Sequence, residues 1–399
     1  MQVYLGDKLP DVAKKQLAGL GCDVIDRPDS GKADLDRGIG DAVVLVVRST
    51  VVSSECIRNS PALTLIIRAG AGVNNIDQDA ASKAGIFVSN CPGQNAIAVA
   101  ELALGLMLSL DRRLPENVAE FRNGNWKKSE FSKADGLYGK KLGIIGTGQI
   151  GREVIARAGA FGMPVIAWSR SLTAEKAEAL DVTFADSPGA VAAECDILSV
   201  HLALSDETRG LISADILASL KQGALFINTS RAEVVDGEAL YRELESGRIR
   251  AGLDVFDEEP EQKSGPFSSR LQKLENVYVT HHIGASTQQA QIAVAMDAVE
   301  TVRVYVQEGR VRNWLNKSGR NKTPCKLVVR HFDKPGVLAN VMSELKAVGI
   351  NAQELENVIF KGKETACCTI QLNNHPPEET LTAIRGRKDE VISALLLSN

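Results

Sequence analysis

The sequence carries no excess of basic charge: 46 Lys and Arg face 50 Asp and Glu, a formal net charge of −4. A chain that tracks a phosphate backbone needs a clustered positive surplus, so nucleic acid is not expected as a partner. Long apolar runs are missing too. The most apolar stretch, Ala96 to Leu110, is broken by Glu101 and falls short of the ~20 residues that span a bilayer. It reads as a buried or subunit-interface helix, and no membrane partner is expected. Metal-spaced cysteines are also lacking. The seven (Cys22, Cys56, Cys91, Cys195, Cys325, Cys367 and Cys368) are scattered, which implies reduced thiols and no metal site. The opening residues Met1-Gln2-Val3-Tyr4-Leu5 read as a strand and lack the charged start and apolar core of a secretory signal, so the expected location is the cytoplasm.

What is present, 44% hydrophobic and 24% charged residues in 399, suits a globular chain with two or three cores. Short apolar runs alternate with helix-like stretches: Val3 to Leu5, Val24 to Ile25, Val43 to Val47, Leu63 to Ile67 and Ile86 to Val88 read as strands. A second series starts at Leu142 and continues through Val165 to Trp168, Ile197 to Val200, Leu225 to Asn228, Gly252 to Val255 and Val277 to Thr280. This alternation predicts an α/β fold with mostly parallel, doubly wound sheets. Thr287 to about Glu308 is helical again, and Arg310 to Lys322 is a basic, acid-free stretch that reads as a linker. Beyond it, strand Lys326 to Arg330, a turn at Asp333-Lys334-Pro335-Gly336 with proline placed to start a helix, two strands, a helix from Pro377 and a strand near Val391 predict a ferredoxin-like β-α-β-β-α-β unit.

Lys141 to Gly151 is a buried strand running into Gly146-Thr147-Gly148-Gln149-Ile150-Gly151 and then a helix, Glu153 to Ala160. GxGxxG alone is a weak signal. Between strand and helix it marks a dinucleotide site, because the glycines allow the tight turn, the approach of a pyrophosphate and close helix-strand packing, with backbone N–H groups at the helix start. The next strand, expected to end in Asp or Glu if it holds an NAD ribose, ends instead in Ser169-Arg170-Ser171. A hydroxyl and a guanidinium suit a 2′-phosphate, so the cofactor is read as NAD or NADP, with NADP accepted. The plainer reading of Arg170 is a solvated loop residue.

Hydride transfer also needs a general acid or base and a cation near the substrate oxygens. Three strand ends offer them: Asn228-Thr229-Ser230-Arg231, Asp254-Val255-Phe256-Asp257-Glu258-Glu259-Pro260, and His281-His282-Ile283-Gly284-Ala285-Ser286-Thr287. These three runs, in this order, resemble the signatures of the D-2-hydroxyacid dehydrogenases. The resemblance covers residues 1 to about 315 and implies two Rossmann-like domains: a flavodoxin-like substrate-binding domain, 1–96 with a return segment 288–318, and a dinucleotide-binding domain, 97–287. It implies that His282 exchanges the proton with the substrate hydroxyl, Glu259 pairs with His282, Arg231 binds the carboxylate, and Asp254 holds the nicotinamide carboxamide. Gly146, Gly148, Gln149, Ile150, Gly151, Ser169, Arg170, His201, Thr208 and Thr229 are the other expected cofactor residues. Two departures stand out, His281 and Ala203, each where the family usually has proline.

Arg68 to Asp77, with Ala71, Gly72 and Val73 offering backbone N–H groups, resembles the substrate loop of 3-phosphoglycerate dehydrogenases. Arg48, Arg68 and Lys128 match that group's phosphate-binding cations, Lys128 reaching across a dimer. Singly each reads as a surface cation, so the case rests on all three. Asn95 opens the helix this family uses for dimerisation, and a homodimer or larger homo-oligomer is expected. After a linker at 319–324, residues 325–399 resemble an ACT regulatory domain, with Asp333 and Asn351 at its amino-acid-binding positions and L-serine as the expected effector. The substrate is thus expected to be a phosphorylated 2-hydroxy acid. Two other readings stand beside it: a glyoxylate or hydroxypyruvate reductase, and a dinucleotide-sensing corepressor-like scaffold, for which the Arg231, Glu259 and His282 set has no use.

Overall fold

The computed structural model describes residues 1–257, 259–260, 265–318 and 323–398. Linker residues 319–322, including Arg320 and Lys322, and Glu258 lie outside the described residues. Two compact units emerge, Met1–Asn316 and Lys317–Asn399.

The first unit holds two parallel sheets. Five strands, β1 (Gln2–Leu5), β2 (Asp23–Asp26), β3 (Val44–Val47), β4 (Leu65–Arg68) and β5 (Phe87–Asn90), pair in the order β2-β1-β3-β4-β5. Alternation along β3 fills two cores. Val44 and Val46 pack on one face with Leu9, Ala13 and Leu17, while Leu45 and Val47 pack on the other with Leu35 and Ile57. The 21-residue helix Gln288–Glu308 returns to the first of these cores with Val294, Ala298 and Val302.

Seven strands form the second sheet: β6 (Leu142–Ile145), β7 (Val165–Trp168), β8 (Thr183–Phe184), β9 (Ile197–Val200), β10 (Leu225–Asn228), β11 (Arg250–Leu253) and β12 (Val277–Val279). Their order, β12-β11-β10-β9-β6-β7-β8, reverses between β6 and β9, and ligands of such sheets bind at that switch point. The helix Ala96–Arg112 packs on this sheet through Ala103, Met107 and Leu110, so the predicted apolar helix is buried by its own chain along that side.

Several element bounds differ from expectation, two of them beside the site, and one strand, β8, was not expected. The strand read as Gly252 to Val255 ends at Leu253, where pairing with β12 stops and Asp254 turns its carboxylate to the neighbouring loop. The helix after the glycine turn begins at Gln149 rather than Glu153, which places Gln149, Ile150 and Gly151 in its first turn. Two-residue β8 leaves no period to read.

The second unit runs β13 (Cys325–Phe332), helix Val337–Ala347, β14 (Ala352–Ile359), β15 (Thr365–Leu372), helix Glu378–Gly386 and β16 (Val391–Ser398), with an antiparallel sheet in the order β14-β15-β13-β16. Pro335 does not open its helix. Gly336, at φ 91, caps it and Val337 begins it. Among the described residues no helix is long and apolar enough to cross a membrane.

Candidate active site

The glycine turn is built as a cradle. Gly146 sits at φ 102, and a Cβ there would lie 2.3 Å from the His201 carbonyl oxygen. A Cβ on Gly151 would lie 2.0 Å from the Gly146 oxygen, so the helix rests directly on the turn. Gly148 caps that helix with open space where its side chain would be, and Gln149 beside it is exposed. Two buried polar atoms near the strand ends, Thr229 Oγ1 and His201 Nδ1, have no hydrogen-bond partner. An open backbone turn at a helix start with unpartnered donors or acceptors beside it fits a dinucleotide. Burial holds His201 down at about 4, so its ring stays neutral, with Nε2 against Ser199 Oγ at 2.8 Å.

The remaining expected cofactor residues differ in availability. Ser169 Oγ lies 2.7 Å from Thr147 Oγ1, and Arg170 is exposed. Thr208 ties its own turn, its hydroxyl donating to the Ala203 carbonyl at 2.6 Å and accepting from the Ser205 N–H at 2.8 Å. Among the described residues no cluster of His, Cys, Asp and Glu could hold a metal ion.

His282 lies past β12 at φ 51, with Nδ1 2.8 Å from Glu259 Oε2. That hydrogen bond, helped by the carboxylate's charge, raises the imidazole above its ordinary value against burial and the repulsion of Arg231. Buried Asp254 shapes the loop that carries it. Asp254 Oδ1 accepts from Thr280 Oγ1 at 2.5 Å and the Ile283 N–H at 2.8 Å, Oδ2 accepts from the Gly284 N–H at 2.8 Å, and its carbonyl accepts from the His282 N–H at 3.1 Å. Every carboxylate contact of Asp254 on view thus goes to the loop around His282.

Facing this loop are the strand ends of the first sheet. Arg231 reaches across to the loop after β4: a Cβ on Gly72 would lie 2.6 Å from its Nη2, and one on Gly70 would lie 1.5 Å from Arg68 Nη1. These two glycines leave the volume that the guanidiniums occupy. Burial, then the charges of Arg231 and Arg48, pull Arg68 below its ordinary value, and its buried Nε has no partner. Arg48, Arg68, Asn95 and His282 line one cavity of about 140 Å³, and none of its lining residues is acidic. Ala71 and Val73 lie half-buried in the same loop as Gly72.

Lys128 is not brought to this cavity within the chain; it lines a separate hollow with Phe121, Trp126 and Phe131. Asp333 and Asn351 are not brought together either. They flank opposite ends of the helix Val337–Ala347, about 16 Å of axis at 1.5 Å per residue. A residue that sequence reasoning missed is Asp7. Its buried carboxylate accepts from the N–H groups of Arg48 (2.7 Å), Ser49 and Thr50 (both 3.0 Å) and from Ser49 Oγ. Burial would raise it, but these donors prevail and hold it below the usual carboxylate range. Only its place directly after a strand could have marked it.

Residues 104–284 match the family D-isomer specific 2-hydroxyacid dehydrogenase, NAD binding domain. The chain is 41% identical over 273 residues to the hydroxypyruvate reductase of Thermotoga maritima, covering 68% of this chain and 87% of that one. The chain belongs to the D-2-hydroxyacid dehydrogenase family. A D-3-phosphoglycerate dehydrogenase of Methanocaldococcus jannaschii is 36% identical over 334 residues, 83% of this chain but 62% of the relative's length. Among solved structures of the family, an NAD+-bound 3-phosphoglycerate dehydrogenase from Entamoeba histolytica superposes with a TM-score of 0.66 at 28% identity, covering 79% of this chain and 99% of that one. The matched segment is an NAD-binding domain, and it contains both the Gly146–Gly151 turn and His282.

Proposed function

We propose that this chain oxidises D-3-phosphoglycerate to 3-phosphohydroxypyruvate with NAD or NADP, the opening step of a phosphorylated route to L-serine. The acid-free set of cations beside the His282–Glu259 pair carries the reading. A simple 2-hydroxy acid brings one carboxylate, which Arg231 and the N–H groups of residues 71–73 can hold. Arg48 and half-buried Arg68 then remain, and charge-assisted bonds to a phosphate would engage them. The bound dinucleotide supplies the hydride acceptor. His282 takes the hydroxyl proton, Glu259 orients its ring and stabilises the imidazolium, and Arg231 polarises the reacting oxygen. Asp254 holds the His282 loop in place, and Gly148, Gln149 and Thr229 contribute to cofactor binding.

Relatedness to 3-phosphoglycerate dehydrogenases supports the same reading. The β-α-β-β-α-β unit suits an ACT-type module. Because Asp333 and Asn351 lie apart in one chain, a serine site using both takes one from each of two copies, in keeping with a homo-oligomer, where Lys128 would reach a partner's site. Seven free thiols suit a reducing cytoplasm. A second reading, hydroxypyruvate reduction, is favoured by the higher identity to the Thermotoga maritima reductase.

Initial rates with 3-phosphoglycerate at alkaline pH, with the product trapped, should show reduction of both nucleotides, with a KM for NADP no higher than that for NAD because Ser169 and Arg170 replace the usual carboxylate. An inactive wild type that reduces hydroxypyruvate would establish the second reading, and a KM for NADP far above that for NAD would refute the cofactor claim. Calorimetry with millimolar L-serine should register heat on the full chain; silence there would remove the effector assignment.

A further inference from the structure

Lys8 follows β1 and is exposed, and its position in the sequence marks it for nothing. In the fold it joins Arg48, Arg68, Asn95 and His282 around the 140 Å³ cavity. A larger cavity of about 890 Å³ shares Lys8, Arg48, His282 and Ser286 with it, and the acids Asp7, Asp29 and Glu259 line only that larger one.

Two observations distinguish Lys8 from an ordinary surface cation. Among the described residues no hydrogen bond or ion pair engages its ammonium, although acids are close in sequence. Those acids are committed elsewhere: Asp7 accepts from the amides of residues 48–50, and Asp11 pairs with Lys14 at 3.4 Å. The second observation is the linkage itself. Asp7 is covalently next to Lys8, and its carboxylate grips the Arg48 N–H at 2.7 Å, so the main chain at both cations is clamped by one buried side chain. The main chain that carries these two cations is thus fixed at the ends of adjacent strands, and both side chains line one cavity that no acid lines.

We propose that Lys8 is a specificity-determining residue that binds the substrate phosphate together with Arg48, a claim that rests on the phosphoglycerate reading above. It places a phosphate-binding lysine within the same chain, independent of Lys128. Arg231 and the N–H groups of residues 71–73 then serve the carboxylate end, Arg68 lines the same cavity as Lys8 and Arg48, and Lys8 governs the preference for phosphorylated over unphosphorylated acids.

The test compares 3-phosphohydroxypyruvate with hydroxypyruvate, which differ only by the phosphate, in steady-state reduction by wild type, Lys8→Met, Lys8→Gln and Lys8→Arg. A charge-assisted contact at an exposed residue corresponds to roughly tenfold in binding. Lys8→Met and Lys8→Gln should raise the KM for 3-phosphohydroxypyruvate about tenfold and that for hydroxypyruvate less than twofold, with Lys8→Arg recovering most of the loss. Equal changes for both substrates, no change, or loss of all turnover in both neutral variants would overturn the role of Lys8 while leaving the phosphoglycerate reading intact. A wild type that does not prefer the phosphorylated acid would instead overturn that reading, and the role of Lys8 with it.

Discussion

His282→Ala is expected to lower kcat for 3-phosphoglycerate oxidation by about 10²- to 10⁴-fold, the range that one positioned acid–base group supplies. The loss should fall on kcat more than on KM, because the substrate contacts proposed for Arg231, Arg68 and Arg48 are left in place. The imidazole is tuned as well as placed: Glu259, 2.8 Å from Nδ1, raises it above its ordinary 6.5, while burial and Arg231 act in the opposite direction. As base in the oxidation it must start neutral, so the oxidation rate rises as pH climbs through that raised value. As acid in the reduction it must start protonated, so the reduction rate falls over the same window. Glu259→Gln removes the dominant raising influence and leaves the lowering ones, so both limbs should move to lower pH. Reduction at neutral pH should drop more than oxidation does. Profiles of kcat/KM against pH in both directions decide the matter, and superimposable wild-type and Glu259→Gln profiles would remove Glu259 from the assignment.

Gly151→Ala is the second large expected effect, and it reads the cofactor turn. The added Cβ meets the Gly146 oxygen at 2.0 Å, and Gly146 is itself cornered, at φ 102 with a Cβ position 2.3 Å from the His201 oxygen. Neither backbone can yield locally, so the helix beginning at Gln149 must lift away from β6. Its first N–H groups then leave the place where a pyrophosphate would lie. Overpacking of this kind costs about 1–3 kcal/mol, and NADH affinity should weaken roughly tenfold to a hundredfold along with it. Gly148→Ala separates the two consequences. Its Cβ has nothing within 4 Å and its φ is −71, so stability should stay near wild type while the methyl obstructs the dinucleotide. Fluorescence titration with NADH and denaturant midpoints on both variants provide the readout. A Gly151→Ala protein with wild-type affinity and midpoint would show that the packing at this turn has slack.

Legibility followed physical range. Strands such as Val165–Trp168 and Leu225–Asn228 could be read because a strand buried on both faces is a short unbroken apolar run between turns. The end of β11 could not, since Asp254 leaves the strand to satisfy donors on a loop about 30 positions away. The cations divided the same way. Arg48 and Arg68 carry a recognisable local context and converge on one cavity, whereas Lys128, with a similar context, does not reach it in this chain. Asp7 and Lys8 carry no pattern, because each acts only through what it faces.

From sequence alone came the order of strands, turns and helices, the glycine turn, and the Arg231, Glu259 and His282 candidates, all properties set by neighbours a few residues apart. Tertiary structure alone decided which charges share a cavity. Residues 8, 48, 68, 95 and 282 meet around a space of about 140 Å³ that no acid lines. Coulomb interaction and desolvation depend on distance and burial, and neither quantity is encoded in spacing along the chain.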